Sequence, residues 1–196
     1  MEKKKSGEPV LYRILRPFLV GLFKLLYKPS IIGKQHIPTT GRVVLAGNHT
    51  NNLDCFLLAA STKRCVHFMA KDELFKGVFA FFFRGLGAIP VNRRTKDAHA
   101  LSAARDTLKD DKIIGIFPEG TINRTDDVIM PFKLGAVKMA SDTDSQTVPF
   151  VIKGKYKIFD RGVKVIFYPP MSIENDDLIA ENKRLMECVS NALSGN

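Results

Sequence analysis

RVVLAGNHTNNLDCFLLAA, Arg42 to Ala60, passes from a β-branched apolar run, through a cluster of Asn, His and Thr, into an apolar stretch opened by Asp54. Val43, Val44 and Leu45 sit in a short β-branched run that favours a strand. Asn48 to Asn52 are poor formers of either regular element and mark the point where the chain leaves a sheet. Leu53 to Ala60 reads as a helix. The same alternation recurs outward from this stretch. Cys65 to Ala70, Lys112 to Phe117, Val148 to Ile152 and Lys164 to Tyr168 are four further strand-like runs, giving five with Arg42 to Gly47. Helical patterns over Phe75 to Phe83, Asp97 to Lys109 and Phe132 to Ala140 fall between them, and Leu178, Leu185, Met186, Val189 and Leu193 mark a last helix. Strands alternating with helices predict an α/β fold, a single domain with a largely parallel central sheet flanked by helices.

Ahead of this domain lies an arm, residues 1–28. Leu11, Ile14, Leu15, Phe18, Leu22, Leu25 and Leu26 recur mostly at steps of three and four, which predicts an amphipathic helix with Arg13, Arg16 and Lys24 opposite the stripe. Pro17 removes an internal hydrogen bond, so a kink or two short helices is expected. The arm holds seven Lys or Arg against two Glu, a net +5 of the chain's +10. Two readings stay open: a helix packed on the core, or a basic membrane-associating helix lying on anionic lipid. Pro29 to Gly41 reads as a linker that opens the second unit, residues 29–196.

Composition narrows the class. With 196 residues, 45% hydrophobic and 26% charged, the chain suits one well-buried domain and excludes a collagen-like or low-complexity chain. Cys55, Cys65 and Cys188 are odd in number and lack C-x-x-C spacing, so reduced thiols on the cytosolic side are expected, with no metal site. The longest apolar runs, such as Gly77 to Phe83, fall far short of the roughly 20 residues a span needs. Arg13 and Arg16 also interrupt the stretch that would make MEKKK a secretion signal. The net charge of +10 calls for an anionic partner: nucleic acid, phosphate ligands, an acidic protein or a membrane surface.

Three constellations carry chemistry. His49 and Asp54 are five residues apart across a turn entering a helix, which brings the carboxylate back toward one imidazole nitrogen and leaves the other as a base. Pro118 and Gly120, in IFPEGT (Ile116 to Thr121), form a strand-end turn whose N–H groups suit an anion, with Glu119 at the same sheet edge. GAIPVNRR (Gly87 to Arg94) ends in Arg93 and Arg94, forked donors suited to phosphate. Each has a plainer reading: a capping pair, an ordinary turn with a solvated acid, and a solvated basic loop.

In their order and separations, NHTNNLD, G-x-I-P-V-x-R, FPEGT and VPF (Val148 to Phe150) resemble the glycerolipid acyltransferase family related to lysophosphatidic acid acyltransferase, over about Ile31 to Tyr168. The resemblance implies His49 as catalytic base and Asp54 as its partner. It places Arg93 in the acceptor-phosphate site, and Glu119, Gly120 and Thr121 in acceptor binding or site organisation. Ile122 stands where family members usually carry Arg, and Arg124 or Lys133 are the nearby replacements. The implied reaction moves a fatty acyl chain from an acyl thioester, acyl-CoA or acyl carrier protein, to the free hydroxyl of a lysophospholipid, with no cofactor beyond the donor. The implied location is peripheral, on the cytosolic face of a membrane. His suits this because an alcohol is a poor nucleophile near neutral pH and imidazole ordinarily titrates near 6.5. Cys55, beside Asp54, is either an acylated thiol or a packed helix residue, and Phe79, Phe81, Phe82 and Phe83 line an acyl tunnel, dip into lipid or pack in the core. A rival class, a basic binding module without turnover, accounts for the charge but leaves NHTNNLD and FPEGT unused. Nucleic acid is not expected, because the aromatics are bunched and not interleaved with polar readers.

Overall fold

The computed structural model describes residues 7–92 and 98–195. Its strands are β1 (Ser30–Ile32), β2 (Val43–Gly47), β3 (Val66–Lys71), β4 (Ile89–Val91), β5 (Ile113–Ile116), β6 (Gln146–Lys153) and β7 (Lys164–Phe167). Its helices are α1 (Val10–Tyr27), α2 (Asp54–Ser61), α3 (Val78–Gly85), α4 (Ala98–Lys109), α5 (Gly135–Thr143) and α6 (Leu178–Ser194). The strands form one sheet in the order β1-β7-β6-β2-β5-β3-β4, and among them only β6 and β7 pair antiparallel. This is the α/β architecture the alternation predicts.

β2 sits at the middle of the sheet and all five of its residues are buried. Its alternate side chains feed two core layers. Val43 and Leu45 pack with Leu57 and Leu58 of α2 and Val20 and Phe23 of α1. Val44 and Ala46 pack with Ala104 and Leu108 of α4, Ala136 and Ala140 of α5, and Leu185 and Val189 of α6. Covering both faces is what makes the central strands read as unbroken apolar runs. It also sends every β2 side chain into a core, so the polar chemistry is confined to the strand's end.

Two strands fall where a linker and a loop are predicted. β1 lies inside the stretch read as a linker and pairs Ser30 to Ile32 with Lys164 to Ile166 of β7. β4 lies inside GAIPVNRR and pairs Ile89 to Val91 with Met69 to Lys71 of β3. Each is three residues long and on an outer edge of the sheet, too short to show a period, and the edge accommodates Pro90. The helix predicted over Phe75 to Phe83 is a 3₁₀ turn (Asp72–Phe75) followed by α3. The helix predicted from Phe132 starts later, at Gly135.

α1 is one helix through Pro17, not two. Tyr12 before the proline and Val20 and Phe23 after it are buried, so both halves of the helix pack on the domain. The Arg16 guanidinium, expected opposite the packed stripe, reaches the carbonyls of Ala59 and Thr62 at the end of α2. There its charge meets the negative end of that helix. Ile14, Phe18, Leu22 and Leu25, from the predicted stripe, are exposed. Among the described residues, no helix is long and apolar enough to cross a membrane. On α3, Phe81 is 78% exposed while Phe83 lies against Phe75; the side chain of Phe79 is outside the description.

Candidate active site

Gly47 ends β2 against β6 so closely that a Cβ there would lie 2.2 Å from the Phe150 carbonyl oxygen, so a side chain is excluded. The next residue extends the pairing by other means. The Asn48 amide donates to the Ile152 carbonyl at 2.9 Å and its oxygen accepts the Ile152 N–H at 2.7 Å. This side-chain mimic of a strand partner fixes where the following turn leaves the sheet, at the strand ends where α/β folds place their sites.

His49 is 8% exposed and held at its backbone, at Nδ1 and at one ring face. Its N–H donates to Glu119 Oε1 at 2.8 Å and its carbonyl accepts from Asn123 N at 3.0 Å. Its ring stacks on Phe117 at 4.0 Å between centroids. Nδ1 lies 2.9 Å from Asp54 Oδ2. Asp54, fully buried, is the first residue of α2, where the helix dipole favours an anion. Oδ2 also accepts the N–H groups of Thr50 at 2.7 Å and Asn51 at 2.9 Å, and Oδ1 accepts the Thr50 hydroxyl at 3.1 Å and the Tyr156 hydroxyl at 2.6 Å. A carboxylate with this many donors is ionised and acceptor-only, so the hydrogen between it and His49 belongs to Nδ1. Nε2 is then the basic nitrogen. Burial first, and the Asp54 charge second, push the Tyr156 phenol far above its ordinary value, so it stays a donor.

Glu119 is 3% exposed and both its oxygens are taken by backbone N–H groups, His49 through Oε1 and Met130 through Oε2 at 2.9 Å. It ties two loops together. Gly120 adopts φ +76, and a Cβ there would lie 2.6 Å from Lys133 Nζ, so that ammonium group rests over the FPEGT turn. Thr121 and Arg124 are exposed in the following loop. Arg93 lies outside the described residues. Beside His49 is a cavity of about 160 Å³, lined also by Asn48, Thr50, Glu119, Asn123, Thr125 and Val128. Cys55 is half-buried on α2, one residue from Asp54.

The fold therefore joins His49, Asp54 and Glu119 directly, with Gly120 next in the chain. The roles of Asn48, Phe117 and Tyr156 had no signal of their own in the sequence. Asn48 was visible as part of a polar cluster, Phe117 as the end of a strand, and Tyr156 not at all, since 102 residues separate it from Asp54.

The arrangement of strands and helices is similar to the crystal structure of the 1-acyl-sn-glycerophosphate (LPA) acyltransferase PlsC from Thermotoga maritima. The TM-score is 0.75 at 21% identity, over 100% of this chain and 83% of that one. By sequence the chain is 28% identical to a 1-acyl-sn-glycerol-3-phosphate acyltransferase of Bacillus subtilis over 82% of each chain. It is 31% identical to the human 1-acyl-sn-glycerol-3-phosphate acyltransferase alpha over 71% of this chain and 51% of that protein. It thus spans most of the bacillary relative and about half of the human one. A family model described as Acyltransferase matches residues 28–153, a stretch running from the end of α1 to the end of β6 that takes in both the His49 turn and the FPEGT turn. With well over half its length matched, the chain belongs to the acyltransferase family.

Proposed function

We propose that the chain moves a fatty acyl group from an acyl thioester, acyl-CoA or acyl carrier protein, to the free hydroxyl of lysophosphatidic acid, giving phosphatidic acid for phospholipid biosynthesis. The observation that carries this reading is the buried His49–Asp54 pair, which leaves Nε2 as a base beside an open cavity. Nε2 takes the hydroxyl proton as the oxygen attacks the thioester carbonyl, and Asp54 stabilises the imidazolium that forms. The C–O bond forms, the C–S bond breaks, and the proton passes from His49 to the departing thiolate, so thiol and ester are the products. No acyl-enzyme intermediate is needed, and Cys55 packs on α2 without a part in the step.

The acceptor's phosphate is assigned to the basic side of the FPEGT turn. Lys133 supplies the charge that Ile122 does not, with Arg124 and Arg93 as further contacts and the backbone of Gly120 and Thr121 lining the path. Glu119 shapes this region and leaves phosphate binding to the cations, because both its oxygens are already occupied. The acyl chains keep both substrates in or near a bilayer. The exposed apolar face of α1, Ile14, Phe18, Leu22 and Leu25, together with the exposed cations Arg13 and Lys24 elsewhere on the same helix, supports peripheral attachment to the cytosolic face of an anionic membrane. The other substrates are the donor thioester and, where it serves, acyl carrier protein; no cofactor enters the reaction.

The test is thiol release from acyl-CoA or acyl carrier protein, with lysophosphatidic acid as acceptor and phosphatidic acid detected by mass spectrometry. Thiol release that does not depend on the lysolipid would refute the acceptor assignment.

A further inference from the structure

β6 and β7 are joined by residues 154–163, and the tip of this loop is unusual for a connection between buried strands. Ile158 and Phe159 are 61% and 64% exposed. Phe159 also adopts φ +62, a left-handed conformation that a bulky residue takes only when held there. Two contacts hold it. Its N–H donates to the Leu26 carbonyl at 2.5 Å, and Lys28 Nζ lies 6.0 Å from the ring centroid. The exposed ring is therefore fixed to the C-terminal end of α1, where Leu22 and Leu25 are themselves exposed.

Charge selects what such a tip would meet. Between positions 153 and 164 stand Lys153, Lys155, Lys157, Arg161 and Lys164 against one acid, Asp160. The Asp160 carboxylate accepts the Arg161 N–H at 2.7 Å. Lys24 of α1 and Lys28, the residue that caps it, meet Arg161 of the loop around a groove that Pro29, Ser30 and Ile31 complete. Constrained apolar side chains with a cationic groove beside them match an anionic bilayer, which offers acyl chains and phosphates side by side. A protein groove shaped for Ile158 and Phe159 alone would give no reason for three cations in that loop with a further lysine at the end of each flanking strand.

We propose that the tip of the β6–β7 loop is a second membrane-contact element: Ile158 and Phe159 enter the boundary between headgroups and acyl chains, and a lipid phosphate sits among Lys24, Lys28 and Arg161. This rests on the peripheral attachment read above from α1. It adds to it a contact 131 positions beyond the helix and close to the site in sequence, since the same loop carries Tyr156, the partner of Asp54.

The chain contains no Trp, so one introduced residue reports on its own surroundings. Phe159→Trp and, separately, Phe18→Trp are titrated with vesicles of phosphatidylcholine and of phosphatidylcholine with one third phosphatidylglycerol. The expected result is a blue-shifted emission for both variants on anionic vesicles, quenched by lipids brominated on their acyl chains. A shift for Phe18→Trp with none for Phe159→Trp overturns the loop proposal and leaves α1 attachment standing; no shift for either overturns both. Ile158→Asp with Phe159→Asp should weaken vesicle partition by about tenfold or more, with an unchanged melting temperature because both side chains are exposed. Lys24→Gln, Lys28→Gln and Arg161→Gln together should flatten the salt dependence of binding. Equal binding to neutral and anionic vesicles, or an unaltered salt dependence, overturns the phosphate groove.

Discussion

Tyr156→Phe removes one hydroxyl and leaves the ring. In the structure that hydroxyl gives Asp54 Oδ1 its short bond of 2.6 Å, the other donor to Oδ1 being the Thr50 hydroxyl at 3.1 Å. A hydrogen bond to a charged group contributes about 1.5–3 kcal/mol, and the three remaining bonds to Asp54 from Thr50 and Asn51 soften the loss, so about 1–2 kcal/mol is expected in positioning. That is roughly 5- to 30-fold in kcat/KM. The phenylalanine ring keeps its contacts with Phe23 and Tyr27, whose centroids lie 6.2 and 5.7 Å away, so the melting temperature should fall by only a few degrees. Activity and thermal stability together separate positioning from packing: kcat/KM should fall while the melting temperature changes little. Initial rates of thiol release, with thermal melts by circular dichroism, measure both. A variant within twofold of wild type would refute the argument that Tyr156 sets Asp54.

His49→Ala should lower turnover by roughly 10²- to 10⁴-fold, and because the buried ring stacks on Phe117 and bonds Asp54 it should also lower the melting temperature by a few degrees; retention of a tenth of the activity would remove His49 as the base. Asn48→Ala strips partners from both the N–H and the carbonyl of buried Ile152, which should cost about 2–4 kcal/mol and lower the melting temperature by roughly 5–15 °C. Lys133→Ala should raise KM for lysophosphatidic acid more than for the acyl donor, and more than Arg124→Ala does; equal effects on both substrates would take Lys133 out of the acceptor site. Burial holds the His67 imidazole below its ordinary value, with Nδ1 bonded to the Gly87 carbonyl at 2.7 Å and Nε2 without a partner among the described residues. The unfolded chain therefore binds a proton there that the folded one refuses, so stability is full above about pH 6.5 and is lost as pH falls below it. Urea unfolding of His67→Asn should show a shallower loss of stability below about pH 6.5.

What the sequence disclosed follows from how local each signal is. β2, β5 and β6 are covered on both faces, so their burial is written as consecutive apolar residues, whereas β1 and β4 exist only through pairing with β7 and β3 and leave three residues of pattern each. His49 and Asp54 were legible because one turn brings them together. Glu119 was legible as a carboxylate at the right sheet edge, and its engagement by two backbone N–H groups was not. α1 shows why periodicity stops short: it locates apolar faces without saying which environment each one meets. The residues it buries, Tyr12, Val20 and Phe23, lie away from the Leu-rich stripe, and Arg16 serves the interface with α2. Phe23 and Tyr27 then form the wall against which Tyr156 packs, and Tyr156 holds the carboxylate that orients His49. The helix that the composition marks as an arm is thus mechanically continuous with the His49–Asp54 pair. Removing residues 1–28 would take away that wall along with any membrane contact, so the loss of activity on truncation cannot by itself be assigned to either. Substitutions confined to the exposed face, at Phe18, Leu22 and Leu25, separate the two roles, because they leave Phe23, Tyr27 and hence Tyr156 in place.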